Sequence, residues 1–485
     1  MFLGITSNNH DASLALIDGT TIVWAAHSER YSRLKNDNML NRAIINEMQE
    51  YGIPTEIVWF ENPLLKNTRQ LYAGQPVTFL PHRPVLKQFG LDKIPINFVN
   101  HHQSHAAAGY YTSGFNDAAV LVIDAVGEWD TVSIWQAHGS RLTKSWSKCY
   151  PDSIGLFYSA MTEYIGLKPN EEEYILMGMA AYGQPIYRDE ILEAFFYDFC
   201  PPNFKLKVNM HKGCKWWTPS NAKFSKYDIA ASVQLIVEEY MLTTVKWIKS
   251  TCTSNNLVLM GGLALNCVVN SIIARANIFN NIWIMPNPGD AGSAIGAVAA
   301  HTNTQLAWIT PFLGTDITRE LDIDSAVTEL LRGNIVAIAN GRAEFGPRAL
   351  GNRSLLCDPR GKNAKTLMNS IKNREQFRPF APAILEEYAH DYFDIPVKNS
   401  HYMQFVSKCL QPDLFPGICH IDNSSRVQTV PCFTDSKFRQ LLIAWYSASG
   451  CPLLMNTSMN VKGEPLVNTW EDACKFNLST GVKIF

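Results

Sequence analysis

Apolar and polar positions alternate most regularly at the start of the chain, where residues 1–6, 13–17 and 21–26 read as short strands. The polar stretch Ser7-Asn8-Asn9-His10-Asp11 and the turn Asp18-Gly19 separate them, which predicts a hairpin with a polar loop at its head. Residues 41–51 carry a helical period closed by Gly52 and Pro54. Residues 60–90 hold Pro63, Pro76, Pro81 and Pro84 without clear periodicity and are expected to be a loop or insertion. From 94 to 300 strand and helix patterns alternate. Strand 96–99 precedes a helix from His101, strands 118–123 and 131–136 follow, and 229–250 is a long helix. The short apolar strands 257–260 and 282–285 each run into a glycine-rich turn and a helix. This order predicts an α/β domain with ligands at the carboxyl ends of its strands. Residues 302–320 suit a linker; beyond it, 317–331 reads as a helix and 335–339 as a strand of a second α/β domain.

A length of 485 residues allows two to four domains at about 150 residues each. With 42 Lys and Arg against 44 Asp and Glu, the net charge of −2 excludes a generally basic coat for nucleic acid. The 11 cysteines contain no CxxC pair, which argues against a zinc ribbon and suits a reducing compartment. No segment approaches the ~18 apolar residues of a spanning helix, and the first residues lack a basic leader. The expectation is a soluble cytoplasmic protein with no membrane partner.

Four stretches carry candidate chemistry. In Asn100-His101-His102-Gln103-Ser104-His105, His101 and His105 share one helix face and can grip one ion. Asp124 ends one apolar strand and Asp290 follows another, so both fall at the same kind of sheet edge. Two His and one or two Asp suit iron(II), manganese or zinc, although Asp290 could equally cap the helix after it. The turns Gly261-Gly262 with Asn266, and Gly289 with Gly292, could approach a nucleotide, or could simply pack tightly. Between 342 and 378 there are nine Lys or Arg (342, 348, 353, 360, 362, 365, 372, 374, 378) against three acids, a local balance of +6. Arginine forks there suit a small phosphate or nucleotide. Asn456-Thr457-Ser458 ends a buried strand and could cradle an anion.

Together these segments resemble the O-carbamoyltransferase family that includes nodulation protein U and tobramycin carbamoyltransferase. The matching stretches are GITSNNHDAS (4–13), SERYSRLK (28–35), NHHQSHAAAGYY (100–111), VLVIDAVGEWDT (120–131), EEYILMGMAAYG (172–183), GGLALN (261–266), NPGDAGSAIGA (287–297), GRAEFGPRALGNRS (341–354), KNREQFRPFAP (372–382), SSRVQTV (424–430) and LLMNTSMNVKGEP (453–465). They keep the family's order over nearly the whole chain.

The resemblance implies an actin-like ATPase (TsaD-like) domain over 1–314, followed by a YrdC-like α/β domain over 315–485. It implies that carbamoyl phosphate and ATP, the latter with Mg2+, form a carbamoyl-adenylate in the second domain. The carbamoyl group then passes to an acceptor hydroxyl in the first. It assigns His101, His105, Asp124 and Asp290 to a divalent metal, iron(II) first, with His10 as general base and Lys35 beside the site. It places Gly261, Gly262, Asn266, Gly289 and Gly292 at a nucleotide. Arg348, Arg353, Lys372, Arg374, Arg378, Asn456 and Ser458 fall in the carbamoyl-phosphate blocks. Three positions depart from the family pattern: Ala125 stands for a glycine, Ile175 for a lysine and Met459 for a phenylalanine. They touch the nucleotide and acceptor surroundings more than the metal ligands. The acceptor stays open between a natural-product or sugar hydroxyl and a 5-hydroxymethylpyrimidine in phage DNA, which would put the enzyme in a host cytoplasm; a homodimer stays open as well. The competing class is an actin-like-fold ATPase or nucleotide-binding protein without carbamoyl transfer.

Overall fold

The opening alternation forms β1 (Phe2–Thr6) and β2 (Ser13–Asp18), antiparallel, with Phe2 opposite Ile17 and Thr6 opposite Ser13. β3 (Thr21–His27) follows a turn in which Gly19 takes φ 56°, a left-handed conformation that suits glycine. β4 (Glu56–Trp59) and β5 (Ile96–Phe98) extend the sheet in parallel, giving the order β3-β2-β1-β4-β5. The computed structural model describes residues 1–221, 224–361 and 363–485, so Lys362 of the basic run lies outside the described residues. They divide into one unit of Met1–Val23 with Asn38–Trp308 and a second of Trp24–Asp37 with Ile309–Phe485. The segment that carries Lys35 thus groups with the second unit.

The other large sheet of the first unit is built on β6 (Asp117–Gly127), β7 (Asp130–His138) and β8 (Arg141–Cys149). Strand Asn256–Met260 joins β6 in parallel, Met260 beside Val122, and Asn281–Ile284 pairs in parallel with its far side. Regular pairing of β6 with β7 stops at Ile123 opposite Val132 and resumes only at Gly127 opposite Asp130. Asp124 therefore leaves the ladder at the irregularity, on the edge where the parallel strands end. Helices His101–Thr112 and Ser293–Thr302 pack so closely that a β-carbon on Gly296 would lie 1.8 Å from the Ser104 carbonyl oxygen.

The expected loop over 60–90 is corrected: it contains helices Pro63–Tyr72 and His82–Phe89. Its prolines mislead because Pro63 and Pro84 sit in first turns, where a missing N–H costs nothing. The Asn62 side chain accepts from the backbone N–H groups of Leu64 and Leu65 and so caps the first helix.

The second unit is also α/β. Its mixed sheet runs Gln428–Val430, Ala381–Leu385, Leu453–Ser458, Arg353–Cys357, Val336–Ala339, Lys483–Ile484. Val336, Ile338, Leu355, Leu454, Trp445 and Phe476 belong to its core. The helix expected from 317 begins at Ile323, because Asp322 caps it through the Ser325 N–H. The residues before it form strand Phe312–Ile317, antiparallel to Gly341–Glu344, inside the stretch expected to be a linker. No helix among the described residues is long and apolar enough to cross a membrane.

Candidate active site

Helix His101–Thr112 starts one residue after Asn100 and turns His101 and His105 to the same side, both fully buried. Their Nε2 atoms are 3.1 Å apart. Asp124 Oδ2 lies 3.2 Å from His101 Nε2, and Asp290 Oδ1 lies 3.3 Å from His105 Nε2 and 3.4 Å from His101 Nε2. One donor atom from each residue falls within 4.8 Å of the others. Burial would lower the His101 pKa, but Asp290 and Asp124 raise it well above the imidazole range. Burial likewise opposes ionisation of Asp290, yet the two imidazoles hold its carboxyl well below the usual carboxylate range. Two imidazole nitrogens and two carboxylates thus balance charge about one point, a donor set that fits a borderline divalent ion.

Three neighbours not singled out in the sequence support this cluster. Asn9 Nδ2 donates to Asp290 Oδ2 at 3.1 Å. Glu128 Oε1 accepts from the backbone N–H groups of His101 (3.2 Å) and Asn62 (2.5 Å), anchoring the start of the histidine helix. Burial pushes the Glu128 carboxyl up to about 7. Gly127 leaves room for the ring, since a β-carbon there would sit 2.2 Å from His101 Cδ2. Asn9 and Glu128 both stand in the quoted motifs, next to His10 and four residues after Asp124, which was their one visible signal.

His10 lies in the β1–β2 loop. Its Nδ1 is 2.9 Å from Asp11 Oδ2 and its Nε2 is 2.8 Å from the Asn170 carbonyl. Burial pulls its pKa down, but Asp11, then Asp290 and the Asn170 carbonyl, raise it to about 10. Both ring nitrogens of His10 thus face oxygen, an arrangement that favours the protonated ring.

The glycine turns have reasons of their own. Gly261 takes φ 86°, and a β-carbon there would lie 2.2 Å from the Ile123 carbonyl oxygen; one on Gly292 would lie 1.9 Å from that of Asn287. Asn266 is buried, caps Val269 and pairs with Gln234. Gly262 and Gly289 remain: the Gly262 N–H points to Asp124 Oδ1 at 3.4 Å, and nothing stands within 4 Å of a β-carbon on Gly289.

In the second unit the basic run divides. Arg353 is fully buried and donates to the backbone carbonyls of Asn468, Asn340, Gly341, Asn352 and Thr315. Its guanidinium fastens loops together, unlike the open anion-binding fork expected from the sequence. Lys372 Nζ instead meets the Ser458 carbonyl (2.5 Å) and hydroxyl (3.1 Å) and the Asn460 carbonyl (3.0 Å) and side chain (2.8 Å). Burial, then the charges of Arg374 and Arg378, push Lys372 well below the usual lysine range. Arg374 Nε donates to Asn369 Oδ1 at 2.6 Å and Arg378 Nη1 to Glu375 Oε2 at 3.3 Å. Asn456 Nδ2 donates to Ala349 O and Gln428 Oε1. The structure thus brings Lys372 and Ser458 together with Asn460, from the same polar turn as Ser458, and sets Arg374 and Arg378 near them. Arg348 is half-buried. Lys35 follows Arg33, whose guanidinium donates to the Leu466 and Pro465 carbonyls at 2.5 and 2.9 Å.

A family model described as carbamoyltransferase N-terminus matches residues 79–299, and one described as carbamoyltransferase C-terminus matches 327–485. An uncharacterized protein of Synechocystis is 35% identical over 99% of this chain and 94% of its own length. Nodulation protein NolO of Bradyrhizobium diazoefficiens is 31% identical over 79% of this chain and 76% of its own. Nodulation protein U of Rhizobium tropici is 27% identical over 96% of this chain and 92% of its own.

Proposed function

The chain belongs to the carbamoyltransferase family, and on that premise we propose that it is an ATP-dependent O-carbamoyltransferase acting through a carbamoyl-adenylate. That it is a carbamoyltransferase follows from the family; the cofactor, the intermediate and the residue roles are our reading. The observation that carries this reading is the convergence of His101, His105, Asp124 and Asp290 on one point. A divalent ion bound there, iron(II) first and manganese or zinc next, would polarise the transferring carbonyl or phosphate.

In the first half-reaction water cleaves the bond between carbamoyl and phosphate, which gives carbamate, inorganic phosphate and a proton released to solvent. The carbamate oxygen then bonds to the α-phosphorus of ATP, supplied with Mg2+, and pyrophosphate leaves. Arg374 and Arg378 support this step, because guanidinium charges neutralise the charge on the departing phosphates, with Lys372 beside them as a hydrogen-bond donor. In the second half-reaction the acceptor hydroxyl oxygen bonds to the carbamoyl carbon and AMP leaves. The hydroxyl proton needs a base, and His10 takes that role once it gives up its own proton and the Asn170 carbonyl. The TsaD-like and YrdC-like character of the two units belongs to the same proposal. So does a cytoplasmic setting, where ATP and carbamoyl phosphate are both available.

The test supplies labelled carbamoyl phosphate, ATP and a panel of hydroxyl acceptors, from sugars to hydroxymethylated DNA. Pyrophosphate release that requires carbamoyl phosphate, with label moving to an acceptor, is the expected result. ATP hydrolysis to ADP and phosphate, indifferent to carbamoyl phosphate, would favour the ATPase reading instead.

A further inference from the structure

A cavity of about 370 Å³ in the first unit borders the His-Asp cluster, within the range of about 300–1,000 Å³ typical of small-molecule sites. Asn9, which donates to Asp290, forms part of its wall, and so does Val126, two residues beyond Asp124. Asn8, Lys66, Arg69, Gln75 and His211 also line it, and none of its lining residues is a carboxylate.

The two cations differ. Lys66 Nζ lies 2.6 Å from Glu61 Oε1, so its charge is matched. Arg69 is only 6% exposed, and its hydrogen-bond partners are neutral: Nε donates to the Glu128 backbone carbonyl at 3.1 Å, and Nη1 to the Gln75 side-chain oxygen at 2.5 Å, while the Glu61 carboxylate, already paired with Lys66, acts on it only through space. Gln75 Nε2 in turn lies 3.4 Å from His211 Nε2. Burial, and then the Arg69 charge, lower the His211 pKa, which leaves that ring neutral and able to share hydrogen bonds. A buried guanidinium with no anionic hydrogen-bond partner is costly, and a bound anion removes most of the cost. Arg69 and Lys66 stand on helix Pro63–Tyr72, before the first residue matched by the N-terminal family model.

We propose that this cavity receives the acceptor, and that the acceptor carries a phosphate monoester or carboxylate held by Arg69, within reach of the hydroxyl to be carbamoylated. The inference rests on the transfer reading above. It adds the substrate class: a small anionic alcohol, with cationic acceptors disfavoured by Arg69.

Paired acceptors test it: ribose with ribose 5-phosphate, glucose with glucuronate, and 5-hydroxymethyl-2′-deoxycytidine with its 5′-monophosphate. The pairs separate phosphate from carboxylate and sugar from nucleotide. In the wild-type protein the anionic member of at least one pair should have the higher kcat/KM, by about 10- to 100-fold, the value of one charge-assisted hydrogen bond. Arg69→Gln should bring that ratio close to unity, chiefly through KM, and Arg69→Lys should restore part of it. A ratio near unity in the wild-type protein overturns the proposal, and so does an Arg69→Gln protein that keeps the preference. Acceptor-free pyrophosphate release reports separately on the transfer reading. If that release is absent, equilibrium binding of the same pairs to wild-type and Arg69→Gln protein still decides the anion site: preferential binding lost in the variant supports it, and equal binding overturns it.

Discussion

At His10 both ring nitrogens face oxygen, the Asp11 carboxylate on one side and the Asn170 carbonyl on the other. A carbonyl only accepts, so Nε2 must carry hydrogen, and the carboxylate favours a proton on Nδ1 as well. With a pKa of about 10, the fraction of His10 able to take a proton is small at neutral pH. That fraction grows about tenfold per pH unit until the pKa is reached. Single-turnover transfer to the acceptor should therefore rise with that slope between about pH 7 and 9. His10→Ala should abolish the slope and lower transfer by about 10²–10⁴-fold, the usual contribution of a general base. A flat wild-type profile over that range would remove His10 from the base role. The same scale separates the arginines of the basic run. Charge spacing alone presents Arg353, Arg374 and Arg378 as one group, yet Arg353 spends its guanidinium on five backbone carbonyls. No pattern of neighbouring residue types distinguishes that use from phosphate binding.

The four-residue cluster depends on how two elements end. β6 breaks register after Ile123, which frees Asp124, and returns at Gly127, where the backbone passes against the His101 ring. Gly127→Ala should push the ring or the strand aside. The expected cost is about 1–3 kcal/mol of stability, as for other overpacked sites. Metal retained after dialysis, measured by elemental analysis, should fall by at least about tenfold, comparable to losing a supporting residue. Retention at the wild-type level would mean that the approach relaxes without disturbing the ligands. The histidine pair and the two strand-end acids were legible because helical spacing and the carboxyl-edge rule both act locally. The helices at 63–72 and 82–89 were not, because prolines in first turns look like breakers when the caps are unseen. Asn9 and Glu128 escaped notice because their partners, Asp290 and His101, are 281 and 27 residues away. β8 was missed for another reason: its side chains are mostly exposed and leave little alternation to read.

Across the whole molecule, imidazole and carboxylate gather in the first unit, while Lys372, Arg374 and Arg378 stand in the second. Nothing in the hydrophobic pattern marked residues 24–37 as part of that second unit; the contacts that hold them there include Arg33 on the Pro465 and Leu466 carbonyls, Arg30 on the Gly346 carbonyl and Tyr31 on the Thr315 hydroxyl. If each unit runs one half-reaction, variants should separate the two activities. His105→Ala removes one of four donors, so the protein should lose stable metal binding and acceptor carbamoylation. It should still release pyrophosphate in the presence of carbamoyl phosphate. Arg378→Ala should do the reverse, retaining metal while pyrophosphate release drops by about 10- to 100-fold, the value of one charge-assisted bond to phosphate. Metal content, pyrophosphate and carbamoylated acceptor are to be measured on the same preparations. The division of labour fails if His105→Ala loses pyrophosphate release in step with transfer, for then the metal cluster would serve adenylation as well.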